Sequence, residues 1–270
     1  MSKKVSIVIP VYNGEETIKD TINSAINQTY DNVEVIVIDN KSTDNTVQIV
    51  NEFNNEKLIL LQNSENLGMV GNWNECLKQA GGEYIHFLCA DDCLKADCIQ
   101  KKVEAIEKND AVMVVSATEI VNENGEVVML RRRCKKDTVF DGYKYAKKSL
   151  HRGNIFGEPS SVMFKKAIIE KTGLFATNLS YTTDWELWCR IAACGKLVYI
   201  SEVLSEYRIS MGNTTGSLKL KRIMDDDTRM MNNLINYDGI DISLSDIVIH
   251  KLVLSARDIA RLLYMKIKSR

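Results

Sequence analysis

Two aspartates stand side by side at Asp91-Asp92, separated only by Ala90 from the run Tyr84-Ile85-His86-Phe87-Leu88-Cys89. That run has the character of a buried strand, so both carboxylates emerge together at a sheet edge. Adjacent like charges need a reason, and a divalent cation with a sugar hydroxyl would provide one. Magnesium and manganese prefer hard oxygen ligands and usually share them with a substrate diphosphate. The competing reading is local: the pair could cap a helix over Lys95–Lys108. A third acid, Asp39, ends the run Val33–Asp39 and is followed by Asn40-Lys41-Ser42-Thr43-Asp44. Ser42, Thr43 and Asp44 are helix-capping types, which leaves Asp39 and Asn40 ahead of the cap and free to face a crevice. Thr183 and Asp184 form another capping pair, before Trp185, Leu187, Trp188 and Ile191.

These acids need a scaffold, and the first 120 or so residues supply a rhythmic one. Val5–Pro10, Val33–Asp39, Lys57–Gln62, Tyr84–Cys89 and Ala111–Ala117 are short apolar runs bounded by polar residues, the pattern of buried parallel strands. Between them Glu15–Asn27, Thr43–Phe53, Met69–Gln79 and Lys95–Lys108 have helical spacing, with Ile18, Ile22, Ala25 and Ile26 on one face. Strand and helix alternate, which predicts a doubly wound α/β sheet. Such a sheet binds its ligand beyond the carboxyl ends of its strands. There Pro10-Val11-Tyr12-Asn13-Gly14, Asp39-Asn40 and Asp91-Asp92 would gather. After about residue 120 the plan is mixed. Asn122-Glu123-Asn124-Gly125 predicts a hairpin turn, followed by the basic run Arg131-Arg132-Arg133-Cys134-Lys135-Lys136. Gly157–Phe164 and Leu197–Arg208 are strand-rich, and the chain looks helical from Leu218. The expected division is a body over 1–216, with halves 1–120 and 121–216, and a helical appendage over 217–270.

Composition narrows the function classes. Hydrophobic residues make up 45% of the 270, enough for a sizeable core. The 35 basic and 36 acidic residues nearly cancel, so no global field draws the chain to nucleic acid. Seven cysteines are not needed as staples at this length, which suits a reduced, cytoplasmic setting. Val5–Val11 is too short for a signal or spanning helix, and no later run reaches 18 apolar residues. No GxGxxG follows the first strand and no GxxxxGK[ST] occurs, which removes the main support for hydride transfer or an ATPase. The segment Lys251–Arg270 has an amphipathic pattern with six basic residues. It is the candidate for peripheral membrane contact, at the inner face of the cell membrane, or for pairing with a second copy.

The ordered set Ser6-Ile7-Val8-Ile9-Pro10-Val11-Tyr12-Asn13, Gln28-Thr29-Tyr30, Val37-Ile38-Asp39-Asn40-Lys41-Ser42-Thr43-Asp44, Asn66-Leu67-Gly68, Gly82-Glu83-Tyr84-Ile85 and Asp91-Asp92 resembles the inverting family 2 glycosyltransferases of the GT-A fold. The resemblance runs from Val5 to about Thr215 and is of the kind that builds bacterial cell-surface polysaccharide. It implies a transferase moving a sugar from a nucleoside diphosphate donor, UDP-linked by preference, to a hydroxyl of a glycan or lipid-linked saccharide. It also implies a site. Pro10, Val11, Tyr12, Asn13, Asp39, Asn40, Asn66, Gly68 and Asp91 would bind the nucleotide sugar, Asp92 with Asp91 would hold Mn2+ or Mg2+, and Asp184 would be the general base. Three positions depart from the pattern. Asn40 replaces an aspartate common in UDP-using relatives, Cys89 stands where many members have the first aspartate, and Ser210 replaces the histidine of a Tyr-Arg-x-His element at Tyr207-Arg208-Ile209-Ser210. Those departures motivate the alternative of a noncatalytic scaffold with this fold. A nucleotidyltransferase of similar architecture lacks its glycine-rich, lysine-bearing loop here. Trp185 and Trp188 suggest core packing, and Glu186 with Arg190 a helix-surface pair.

Overall fold

A computed structural model of the chain describes residues 2–209 and 220–254. It opens with β1 (Val5–Val11), α1 (Ile18–Ile26), β2 (Val33–Asp39), α2 (Thr46–Asn51), β3 (Leu58–Gln62), α3 (Gly68–Gln79) and β4 (Tyr84–Phe87). Every residue of β1, β2 and β4 is buried, as strands covered on both faces must be. β3, β2, β1 and β4 pair in parallel, with Val11 beside Asp39 and Val8 beside Phe87. The carboxyl ends of β1, β2 and β4 therefore share one edge. α1 and α2 start three residues later than their apolar spacing suggests. The reason is a set of contacts between the two loops: Glu15 N donates to Asp44 Oδ2 (3.1 Å), Gly14 N to Thr46 Oγ1 (2.8 Å) and Asn45 N to Glu15 Oε2 (3.0 Å). Backbone held by such partners cannot also extend a helix.

The chain continues through β5 (Cys93–Leu94), α4 (Cys98–Asn109), β6 (Ala111–Val121), β7 (Val127–Arg131), β8 (Thr138–Asp141) and α5 (Gly142–Leu150). A 3-10 turn at Pro159–Ser161, β9 (Val162–Lys165), α6 (Ile168–Thr172), α7 (Thr183–Ala192), β10 (Lys196–Arg208) and α8 (Leu220–Ile235) follow. Residues 244–254 are helical. The sheet order is β3-β2-β1-β4-β9-β6-β10-β5, with β7 beside β6 and β8 beside β10. Strand–helix alternation thus builds a mixed α/β sheet rather than a purely parallel one. β9 lies antiparallel between β4 and β6, so those two strands do not touch. The expected hairpin forms, with Gly125 N donating to Asn122 O (2.9 Å) and Gly125 at φ 79°. The start of Gly157–Phe164 is the 3-10 turn, and the strand begins only at Val162.

Helices cover both faces. α1 and α4 pack on one side through Ile18, Ile22, Ile99 and Ile106, and α3, α5, α7 and α8 share the other core. Met230, Met231 and Leu234 of α8 lie in the same cluster as Trp185 and Trp188, so both tryptophans are core residues. Glu186 and Arg190 are not the surface pair their spacing suggests. Arg190 Nε donates to Glu186 Oε1 (2.9 Å), and its other nitrogens donate to the carbonyls of Thr172 and Leu174. Both are more than nine-tenths buried, because α6 and α8 close over that face of α7.

Candidate functional site

The β1 and β2 loops are laced together. Asn13, at φ 50°, receives Thr43 N on its Oδ1 (2.8 Å) and donates its own N–H to Ser42 Oγ (2.8 Å). Ser42 N in turn donates to the Asp39 carboxylate (3.1 Å), which is buried. Pro10 and Val11 are buried beneath, while Tyr12 is half exposed and presents its ring at the edge. Asn40 differs from its expected freedom to face the crevice. Its Nδ2 donates to Asn66 Oδ1 (2.9 Å) and Gly68 O (3.2 Å), and its Oδ1 accepts from Asn63 Nδ2 (3.0 Å) and Leu67 N (2.9 Å). All four valences of that amide are used inside the protein. The network continues from Asn63 to Asn72 (2.9 Å) and on to Ile38 O (3.0 Å). Gly68, at φ 71°, starts α3 where a side chain would be strained.

The aspartate corner is tied to the second half of the chain. Cys89 N donates to Ser160 Oγ (3.0 Å), Ser160 Oγ donates to Asp92 Oδ2 (2.5 Å), and Arg208 N donates to Asp92 Oδ1 (3.0 Å). Asp92 is buried, whereas Asp91 keeps partial exposure and lies in the field of the Arg208 guanidinium. Burial pushes the Asp91 carboxyl up; burial and then the charge of Asp91 push Asp92 well up. Ala90 O accepts from Thr17 Oγ1 (2.8 Å) and Thr21 Oγ1 (2.9 Å), which seats the loop on α1.

Asp184 lies in the first turn of α7, whose N-terminus has no side-chain cap. The residue is partly exposed, and its side-chain partner is Asn154, whose Nδ2 donates to Oδ2 (3.3 Å). Burial among protein atoms pushes its carboxyl up to about 6, against the opposing pull of backbone N–H groups and Asn154. The Cys89 thiol ties this acid to the other two: burial raises it most, and the charges of Asp92, Asp91 and Asp184 all add. Acids from two distant parts of the sequence, the Asp91-Asp92 pair and Asp184, thus both bear on this thiol. Asp226 of α8 fixes the approach to α7, accepting from the N–H groups of Ser180 (3.0 Å), Tyr181 (2.7 Å) and Thr182 (2.9 Å). Burial opposes its ionisation, yet these donors and Arg229 hold the carboxyl below its ordinary value.

Ser160, Asn154 and Asp226 are absent from the sequence-based site. Ser160 lies in Gly157–Phe164, which the sequence marks only as strand-rich, and nothing local identifies it as the partner of Asp92. Ser210 and residues 255–270 of the tail lie outside the described residues. Among the described residues no three His, Cys, Asp or Glu side chains are grouped to hold a metal unaided. The donors suit magnesium or manganese in one respect: Asp91 offers a partly exposed hard carboxylate, while both oxygens of the buried Asp92 already accept hydrogen bonds.

The family model described as Glycosyl transferase family 2 matches residues 6–173, which includes both loop sets and the aspartate corner. The chain belongs to glycosyl transferase family 2. This transferase is 29% identical to the Escherichia coli UDP-Glc:alpha-D-GlcNAc-diphosphoundecaprenol beta-1,3-glucosyltransferase WfaP, over 82% of each chain. Its fold matches S. aureus TarS 1-349 in complex with UDP-GlcNAc at TM-score 0.74 and 20% identity, covering 93% of this chain and 71% of that one. The mannosyltransferase PcManGT from Pyrobaculum calidifontis, in complex with GDP-Man and Mn2+, matches at TM-score 0.62 and 19% identity, over 95% and 69%. The GT-A architecture and the bacterial glycan-type family are therefore those the sequence resemblance implies.

Proposed function

We propose that this glycosyltransferase is inverting and metal-dependent, and that it moves a sugar from a UDP-linked donor to a hydroxyl of a lipid-linked saccharide. One observation carries the reading: Asp184 is a partly exposed acid held by Asn154, which also donates to Gly157 O (3.3 Å), three residues before the Ser160 that holds Asp92, and burial raises the Asp184 carboxyl to about 6. A general base works best when its pKa lies near the operating pH. Asp184 takes the proton of the acceptor hydroxyl as that oxygen attacks the anomeric carbon. The bond to the nucleoside diphosphate breaks on the opposite face, its electron pair leaves on the phosphate oxygen, and the configuration inverts. Asp91, with Asp92 behind it, would hold the divalent cation, which neutralises the departing diphosphate when bound. Ser160 and Arg208 hold Asp92 in place, so Asp91 is the more accessible ligand. Tyr12 would offer a face for the base, Asp39 and Asn40 would lie beside base and ribose, and Asn66 and Gly68 would build the neighbouring loop. UDP as the nucleotide is supported by the WfaP and TarS descriptions, and a lipid diphosphate acceptor by that of WfaP.

The test is UDP release from UDP-sugars with Mn2+ or Mg2+ and a lipid diphosphate–linked saccharide. Asp184→Asn should lose about a thousandfold in turnover while still showing a UDP-dependent thermal shift. Asp91→Asn should lose both turnover and the metal-dependent part of that shift. Full turnover in both variants, or no UDP release with any UDP-sugar, would overturn the proposal.

A further inference from the structure

The hairpin that closes β6 onto β7 leaves an apolar strand bare. Val127, Val128, Met129 and Leu130 are 57, 52, 57 and 47% exposed. Side chains along a strand point alternately to opposite faces, so four consecutive exposed residues mean that neither face of β7 is covered. β7 pairs with β6, and its other edge has no strand partner among the described residues. Exposed apolar edges invite unwanted pairing, and contiguous apolar patches mark interaction sites.

The basic run follows at once and supplies the second observation. Arg131 turns to Glu158, and Arg133 Nη2 donates to Asn154 O (3.3 Å). Arg132, Lys135 and Lys136 are exposed, with no acidic partner among the described residues. An apolar strand next to a cluster of free cations is complementary to an anionic bilayer. Apolar side chains enter the boundary between headgroups and acyl chains, and lysine and arginine hold the phosphates. The patch also adjoins the site, because the Asn154 that receives Arg133 donates to Asp184.

We propose that β7 and the run Arg131–Lys136 dock this protein on an anionic membrane surface, with Asp184 held at the level of the lipid headgroups. The docking stands apart from the sugar-transfer reading; only its use, presentation of a lipid-linked acceptor, rests on that reading. The test is sedimentation of the full chain with vesicles, without donor or acceptor. Vesicles of phosphatidylcholine mixed with phosphatidylglycerol should bind it, phosphatidylcholine alone should not, and added salt should release it. Arg132→Gln, Lys135→Gln and Lys136→Gln together should weaken binding about a hundredfold, at roughly fivefold per cation. Val128→Glu with Leu130→Glu should abolish binding while the circular dichroism melt stays as in the parent. Three results would overturn the proposal. These are parent-like binding by both variants, binding that is lost only in Lys266→Glu with Lys268→Glu, or a dimer by light scattering that Val128→Glu with Leu130→Glu dissociates.

Discussion

Replacing Asp184 by asparagine should stabilise the ligand-free protein near neutral pH and destroy its turnover. The folded carboxyl is pushed up to about 6 from an ordinary 3.8. That gap of about 2 units is worth at most about 3 kcal/mol, at about 1.36 kcal/mol per unit. Partial exposure of the residue discounts it to about 1–2 kcal/mol. The direction follows from proton linkage: the unfolded chain loses this proton near pH 4 and the folded chain near pH 6. Between those values the folded state binds more protons, so stability falls as pH rises, and the full cost is present above about 6. Asparagine never ionises and escapes that cost. Urea denaturation should therefore show Asp184→Asn more stable than the parent near pH 7 and equal to it near pH 4, with an unchanged m-value. The same group sets a kinetic limb. kcat/KM of the parent should fall about tenfold per pH unit below about 6. Asn154→Ala removes a donor that favours the ionised form, so its limb should move to higher pH. Equal destabilisation by Asp184→Asn at both pH values, or a flat parent profile through pH 6, would refute the reasoning.

Other contacts make sharper structural claims. Asp226→Ala frees three backbone N–H groups before α7, and should cost about 2–4 kcal/mol in urea while lowering kcat more than the donor KM. Ser160→Ala leaves Cys89 N and one oxygen of Asp92 without their partner, with an expected loss of about 2 kcal/mol and weaker metal-dependent UDP binding by calorimetry. Glu186→Ala strands the buried Arg190 guanidinium and should cost about 3–5 kcal/mol. Replacing both partners, as Glu186→Leu with Arg190→Met, should recover most of that loss in the same denaturation assay.

The alternation of β1, α1, β2, α2, β3, α3 and β4 is legible in the sequence because each element announces itself within a few residues. A seven-residue apolar run such as Val33–Asp39 needs burial on both faces, and Ile18, Ile22 and Ala25 need one helical stripe. Parallel pairing then carries Asp39 and Asp91 to a common edge. The family resemblance rests on the same local strings, and so do the candidate acids. Tertiary structure alone decided which side chains remain available for chemistry. Asn40 looks free beside its neighbours but is consumed by Asn63, Asn66, Leu67 and Gly68, whose nearest member lies 23 positions away. Asp92 is claimed by Ser160 and Arg208, 68 and 116 positions distant. The insertion of β9 between β4 and β6 was hidden for the same reason, since a strand of four residues carries no local mark of its partner or direction. Periodicity follows from where a residue's neighbours in the chain point. Hydrogen-bond saturation and the raised carboxyl of Asp184 depend on groups the fold brings in from elsewhere, which no local pattern encodes.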